Sequence, residues 1–183
     1  MKFIPTSLRD AFIVELEPFQ DQRGLFARTF DKQQFASIGH RREFVQFNHS
    51  VTNFRGTLRG LHYQVPPSCE VKLIRCVRGR VHDVIVDVRK DSPTFRQHLA
   101  VELSDDNLRM LYIPEGFAHG FQTLADDTQL IYHHSAYYNP ASERGIRYSD
   151  PALGIQWPLT PTVVSEKDQQ YALLNPDFEG VTP

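Results

Sequence analysis

The sequence predicts an all-β fold, a sandwich or barrel of jelly-roll type, formed by one domain over residues 1–183. Short segments rich in β-branched and aromatic residues recur between residues 43 and 134, and turn residues such as Arg78-Gly79 separate them. No regular alternation of strands and helices is present, which argues against a parallel α/β sheet. A chain of this length can bury a single core.

The predicted strands follow one another closely along the chain. Phe12–Leu16 is the first, and a turn at residues 21–24 leads to a second at Leu25–Phe30. Eight more are predicted at Glu43–Asn48, Thr57–Gln64, Val71–Val77, Arg80–Arg89, Gln97–Leu103, Arg109–Ile113, Gly120–Thr123 and Thr128–His134. In Arg80–Arg89, strict alternation gives one valine face and one partly polar face that carries Asp83. The pattern leaves open whether the polar face points into the fold or into solvent.

Two short helices are predicted beside these strands. The first covers residues 31–39, because Asp31 can cap it and Gly39 can end it. The second covers residues 165–174, where Ser165 is the cap and Asp168 follows three residues later. This second helix would close the domain as a lid or a terminal brace.

Composition limits the classes of partner. Twenty Lys and Arg residues against 22 Asp and Glu give a net charge of −2, so neither nucleic acid nor an acidic membrane is an expected partner. No segment has the length and hydrophobicity of a membrane span, and the first residues lack the apolar core of a signal peptide, so we expect a cytoplasmic protein. Cys69 and Cys76 are expected to be free thiols.

The segment Gly56–Gln64 carries the strongest chemical signal. It places Arg59 and His62 in a strand, with Lys72 expected on the neighbouring strand of the same small sheet. A base close to a cation is what proton removal beside a carbonyl requires, although a strand histidine is commonly just a satisfied polar residue. Because alternation sends Arg59 and His62 to opposite faces, both can meet one ligand only if the strand bulges near Gly60.

Several motifs occur in an order that resembles a known family. They are Arg59-Gly-Leu-His62-Tyr-Gln, Asp83-Val-Ile-Val-Asp87-Val-Arg89, Ile113-Pro-Glu-Gly-Phe-Ala-His119 and Tyr137-Tyr138-Asn-Pro. Together with Tyr132 they resemble the dTDP-4-dehydrorhamnose 3,5-epimerase family of the cupin superfamily. The resemblance implies a double-stranded β-helix, the cupin jelly roll, with short peripheral helices. It also implies a homodimer that can exchange N-terminal strands, a nucleotide-sugar substrate, and no cofactor or metal.

The family inverts carbons 3 and 5 of a nucleotide-linked 4-keto-6-deoxy sugar, and the resemblance assigns roles to four residues. His62 is the base, Lys72 the cation beside the developing enolate oxygen, and Tyr132 the proton donor. Asp168 pairs with the histidine, with Asp83 as the rival for this position. From the residues alone, Tyr132 is equally a strand aromatic and Asp168 a first-turn helix charge.

The resemblance also implies a set of substrate-binding residues: Arg23, Phe26, Arg28, Gln46, Asn48, Arg59, His119, Tyr138, Glu143 and Lys167. Arg59 is the expected pyrophosphate contact because its planar fork matches phosphate oxygens. Arg28 stands where the family has a glutamate, and Phe47 where it has an aspartate. These two departures leave two questions open. One is which nucleotide carries the sugar: dTDP, CDP or GDP. The other is whether one carbon or two are inverted.

Three other functions compete with epimerisation at this stage. A metal-dependent cupin would use His119 and His62, but the histidine pair and glutamate of the first cupin metal motif are missing around His62-Tyr63-Gln64. A 3,4-ketoisomerase would use similar acid and base groups on a similar substrate. A non-catalytic sugar-nucleotide binding protein would keep the pocket without turnover.

Overall fold

The computed structural model describes residues 1–183 and contains two six-stranded sheets and a separate hairpin. Fourteen strands are present: β1 Lys2–Pro5, β2 Phe12–Glu15, β3 Phe19–Asp21, β4 Gly24–Phe26, β5 Gln46–Thr52, β6 Thr57–Gln64, β7 Lys72–Arg78, β8 Arg80–Asp87, β9 His98–Ser104, β10 Arg109–Ile113, β11 Phe117–Thr123, β12 Thr128–His134, β13 Glu143–Gly145 and β14 Val163–Val164. The first sheet has the order β1-β2-β10-β7-β12-β5, and the second the order β13-β6-β11-β8-β9, with β14 beside β6. All pairs are antiparallel except β14 with β6. The predicted all-β class is confirmed.

Apolar side chains fill the space between the sheets and cover both outer faces. The central cluster joins residues of the first sheet, such as Ile74 and Leu130, to residues of the second, such as Ile85 and Phe121. A second cluster lies outside the second sheet under residues 146–181, and a third lies outside the first sheet around Phe35. Each sheet is therefore buried on both sides, which explains why β8 has no exposed face.

The two helices are short and begin at their predicted caps. Helix α1, Lys32–Ser37, follows Asp31, whose carboxylate accepts hydrogen bonds from the amides of residues 33 and 34. Helix α2, Glu166–Gln170, follows Ser165, whose hydroxyl accepts from the Asp168 amide at 3.1 Å. Its predicted end at residue 174 is wrong, because Tyr171 already has extended backbone angles. Neither helix is long and apolar enough to cross a membrane.

Several predicted strand limits also require correction. The strand predicted at Leu25–Phe30 ends at Phe26, because β4 pairs only with the three residues of β3 while Phe30 packs on Phe35 and Phe44. The strand predicted at Glu43–Asn48 begins at Gln46 and continues to Thr52, along the whole length of β12. Strands β1, β3, β13 and β14 are additions that the sequence pattern did not indicate. Cys69 and Cys76 are free, as predicted.

The bulge predicted near Gly60 is present. In the β6–β11 ladder, His62 faces His119 while Arg59 faces Phe121, so β6 contains one residue more than β11 between these pairs. Gly60 has φ +122°, a left-handed value that favours glycine. Its amide donates to Asp168 Oδ2 at 3.2 Å. The extra residue brings Arg59 and His62 to the same cavity.

Candidate active site

A cavity of about 510 Å³ lies between the two sheets. Strands β6 and β11 of the second sheet form one wall, and β5, β7 and β12 of the first sheet form the other. Helix α2 contributes Asp168 from the side. The cavity brings together the four residues predicted as catalytic, which are His62, Lys72, Tyr132 and Asp168.

His62 and Asp168 form a hydrogen-bonded pair. His62 Nε2 lies 2.6 Å from Asp168 Oδ1, and the Asp168 side chain is only 4% exposed. Burial alone would raise the pKa of Asp168, but the hydrogen bond and the positive charge offered by His62 outweigh it and lower that pKa. Because a carboxylate only accepts, Nε2 carries the hydrogen and Nδ1 keeps the free lone pair.

Lys72 and Tyr132 belong to the first sheet and face this pair across the cavity. The prediction that His62 and Lys72 lie on neighbouring strands of one sheet is therefore wrong. Lys72 is buried, with Nζ 3.3 Å from Glu70 Oε1 and 3.4 Å from the His62 carbonyl oxygen. Tyr132 is partly buried against the central cluster. Burial raises the pKa of the Tyr132 hydroxyl, so this group remains a neutral phenol with a proton to give.

Asp83, the rival candidate for the partner of His62, is hydrogen-bonded to His119 instead. Its two oxygens each lie 3.0 Å from His119 Nε2, and its side chain is fully buried. Asp83 therefore points into the fold, and Asp168 is the partner of His62. No three His, Cys, Asp or Glu side chains are grouped so that they could hold a metal ion.

Polar residues of the predicted binding set line the cavity and its rim. Glu143 accepts hydrogen bonds from the Tyr138 hydroxyl at 2.9 Å and from Lys167 Nζ at 2.5 Å. The cavity lining also includes Arg59, Asn48 and His119. Gln46 lies beside this lining, where its side chain donates to Asn48 and accepts from the Tyr138 amide.

Three predicted binding residues lie away from the cavity. Arg23 and Phe26 are on the β3–β4 hairpin, where the Arg23 side chain is 83% exposed and Phe26 is 75% exposed. Arg23 pairs with Asp21 of the same hairpin. Arg28 pairs with Asp31, the cap of α1. Within one chain these three do not meet the other members of the set.

Glu70 and His134 are among the cavity residues that were missed in the sequence. Glu70 lies two positions before Lys72, and His134 two positions after Tyr132. Because residues two apart share a face of a strand, alternation counted from Tyr132 would have found His134, whereas Glu70 lies before the first residue of β7.

The fold and the cavity define an enzyme that works by acid–base chemistry between two facing sheets of a jelly roll, an isomerase of cupin type. The sequence profile described as dTDP-4-dehydrorhamnose 3,5-epimerase matches residues 5–176. A dTDP-4-dehydrorhamnose 3,5-epimerase from Shigella flexneri is 46% identical over 169 residues, 92% of this chain and 93% of the relative. The chain belongs to the dTDP-4-dehydrorhamnose 3,5-epimerase family.

Solved structures agree with this assignment. A dTDP-4-dehydrorhamnose 3,5-epimerase from Bacillus anthracis, with TDP and pyrophosphate bound, superposes with a TM-score of 0.91 at 43% identity, covering 94% of this chain and 99% of that one. The Legionella pneumophila dTDP-6-deoxy-D-glucose-3,5-epimerase in complex with dTDP-4-keto-L-rhamnose gives 0.89 at 41% identity, covering 94% and 92%. The cupin jelly roll predicted from the sequence is confirmed.

Proposed function

We propose that the protein inverts carbons 3 and 5 of a dTDP-linked 4-keto-6-deoxy sugar by removing and returning protons. The observation that supports this most directly is the His62–Asp168 pair on one wall of the cavity, facing Lys72 and Tyr132 on the other. Carbons 3 and 5 both adjoin the ketone at carbon 4, so their hydrogens are acidic enough for a histidine base. The reaction needs a base, a cation for the enolate oxygen and an acid on the opposite face.

His62 is the proposed base. Its Nδ1 takes the hydrogen from the carbon beside the ketone, and the electron pair of that bond moves onto the carbonyl oxygen as an enolate forms. Asp168 holds the ring in the tautomer that leaves Nδ1 free, and its charge stabilises the imidazolium that results.

Lys72 and Tyr132 complete the proposed cycle. Lys72, buried at the cavity wall, stabilises the negative oxygen of the enolate. Tyr132 then gives its proton to the carbon from the face opposite His62, which inverts the configuration. Its raised pKa keeps the phenol protonated until the enolate, a stronger base, is present.

The nucleotide is proposed to bind at the rim. Arg59 lines the cavity with an exposed side chain and makes no ion pair within the chain, so its guanidinium is available to the pyrophosphate. Tyr138 offers an exposed ring on which a base can stack.

A second copy of the chain is proposed to complete this rim. The β3–β4 hairpin exposes three large apolar side chains, Phe19, Leu25 and Phe26, and pairs with no other strand. Such a hairpin is suited to packing against a partner, where Arg23 and Phe26 would reach the neighbouring cavity. A Phe26→Asp variant should shift the protein toward monomer in sedimentation and weaken substrate binding. A dimer unchanged by this substitution would contradict the proposed role of the hairpin.

Solvent-deuterium incorporation tests the reaction. The protein is incubated in D₂O with dTDP-4-keto-6-deoxyglucose, and in parallel with the CDP counterpart, and followed by NMR. We expect deuterium at carbons 3 and 5 of the dTDP sugar, lost in His62→Ala and retained in His98→Ala, a strand histidine outside the cavity. Incorporation at one carbon would revise the number of inversions, and incorporation with CDP alone would revise the nucleotide. No incorporation with either would overturn the proposal.

A further inference from the structure

Glu70 is a cavity carboxylate to which the proposed reaction assigns no role. Its side chain is 9% exposed and bridges two neighbours: Oε1 lies 3.3 Å from Lys72 Nζ, and Oε2 lies 2.7 Å from His134 Nδ1. The Lys72 side chain is equally buried, at 9% exposed, and that of His134 is 12% exposed. These three groups form a polar cluster in the wall of the first sheet.

The backbone explains why the three groups converge. Glu70 lies two residues before Lys72, the first residue of β7, and its carboxylate is within ion-pair distance of Lys72 Nζ. His134, the last residue of β12, is the ladder partner of Lys72. Tyr132 lies two residues earlier on β12 and shares the face of His134.

Electrostatics keep the Glu70 carboxylate charged. Burial favours the neutral form of Glu70, but the charge of Lys72 and the hydrogen bond with His134 outweigh it and lower the pKa of Glu70. A carboxylate at this point offsets the cost of keeping the Lys72 ammonium away from water.

His134 connects the carboxylate to the proposed proton donor. Its ring stacks on the Tyr132 ring with centroids 5.9 Å apart and planes only 9° from parallel. Its Nδ1 is held by Glu70, and its Nε2 lies 3.3 Å from Asn48 Nδ2. With a partner at each nitrogen the imidazole has little freedom to rotate, so it presents a fixed flat surface to Tyr132.

We propose that Glu70 is a positioning residue that places both the Lys72 ammonium and, through the His134 ring, the Tyr132 phenol. The inference rests on the proposed function and deepens it. Glu70 has the same role beside the first sheet as Asp168 has beside the second. Each is a buried carboxylate that orients a group facing the substrate, Lys72 for Glu70 and His62 for Asp168. The cation that stabilises the enolate, Lys72, and the acid that returns the proton, Tyr132, are thereby both positioned by Glu70.

Glu70→Gln is the direct test, because glutamine keeps the shape of the side chain and removes its charge. The matched control is Glu179→Gln, whose carboxylate pairs with Lys90 at 2.8 Å on the surface. We expect Glu70→Gln to lower kcat at least about tenfold while KM for the dTDP sugar stays within about threefold, and the control to match wild type. Wild-type kcat in Glu70→Gln, or a rise in KM alone, would overturn the inference.

His134→Ala provides a second test that does not require Glu70→Gln to fold. In this variant proton removal by His62 continues, but Tyr132 loses the surface that orients it. Deuterium exchange without inversion should therefore rise at least about threefold relative to inversion. The ratio is measured on protein whose circular dichroism matches wild type, because a loss of fold alone would slow both processes equally. An unchanged ratio in this folded variant would refute the link through His134.

Failure of the proposed function is distinguishable from failure of the role inferred for Glu70. Wild-type protein that turns over no dTDP-4-keto sugar would refute that function by itself. The link between Glu70 and His134 has its own readout, since ¹⁵N NMR should show the proton on Nδ1 of His134 in wild type and a changed Nδ1 environment in Glu70→Gln. Unchanged ring nitrogens would overturn the positioning role irrespective of activity.

Discussion

Replacing Asp168 by asparagine tests the base directly. The substitution keeps an oxygen that can accept the hydrogen bond from His62 Nε2, and it keeps the volume of the side chain. It removes the negative charge that stabilises the imidazolium formed after proton removal. We therefore expect the rate of proton abstraction to fall while the fold persists.

The size of the effect follows from the geometry of the pair. The hydrogen bond is short, 2.6 Å, and the carboxylate is almost completely shielded from water at 4% exposed. Hydrogen bonds to charged groups contribute about 1.5–3 kcal/mol. If that much stabilisation is lost only after His62 has taken the proton, the barrier rises by the same amount and abstraction slows roughly 10- to 150-fold.

The assay is deuterium incorporation at carbons 3 and 5 under single-turnover conditions, where chemistry is separated from product release. The matched control is Asp177→Asn, the same chemical change on an exposed residue after α2. Asp168→Asn should be slowed within the stated range, and the control should not be slowed. An Asp168→Asn protein that incorporates deuterium at the wild-type rate would refute the assignment of this carboxylate to His62.

Three further predictions concern the acid, the bulge and the response to pH. Tyr132→Phe should slow inversion about a hundredfold or more while deuterium exchange continues, and equal loss of both would contradict its role as donor. Gly120→Ala would place a Cβ 2.7 Å from the Arg59 carbonyl oxygen. It should therefore lower the free energy of unfolding measured in urea by about 1–3 kcal/mol, and raise KM by displacing Arg59. An unchanged midpoint of urea unfolding would show that the two strands separate freely. Burial alone would raise the pKa of Asp87, but hydrogen bonds from Arg89 and two hydroxyls outweigh it and lower that pKa. The contribution of Asp87 to stability is therefore complete above about pH 4 and is lost as the pH falls further. Asp87→Asn should flatten the decline of the free energy of unfolding at acid pH.

Local sequence was sufficient where a signal is local. Strands Thr57–Gln64, Arg109–Ile113 and Thr128–His134 have the limits predicted for them, since β-branched and aromatic runs end there at turn residues. The caps Asp31 and Ser165 were equally visible, because a capping side chain binds amides two or three residues away.

Prediction failed where a partner distant in the chain decides the structure. β13 and β14 are strands only because both lie against β6. The predicted helix ending at residue 174 stops at Gln170, since Leu174 instead joins the apolar cluster outside the second sheet. The stretch Leu25–Phe30 had strand-forming residues but, beyond Phe26, no neighbouring strand to bind.

For the active site too, some features were predictable from the local sequence and others depended on the tertiary structure. The residue types and motifs determined the family, the likeness to an acid–base enzyme, and the identity of His62, Lys72, Tyr132 and Asp168 as candidates, because each motif lies within a few consecutive residues. Only the tertiary structure decided which carboxylate serves which histidine: Asp168 takes His62, Asp83 takes His119 and Glu70 takes His134. Two of these three pairings join residues more than 60 positions apart and the third joins residues 36 apart, so they arise from ladder register and the packing of α2, which local periodicity does not reveal.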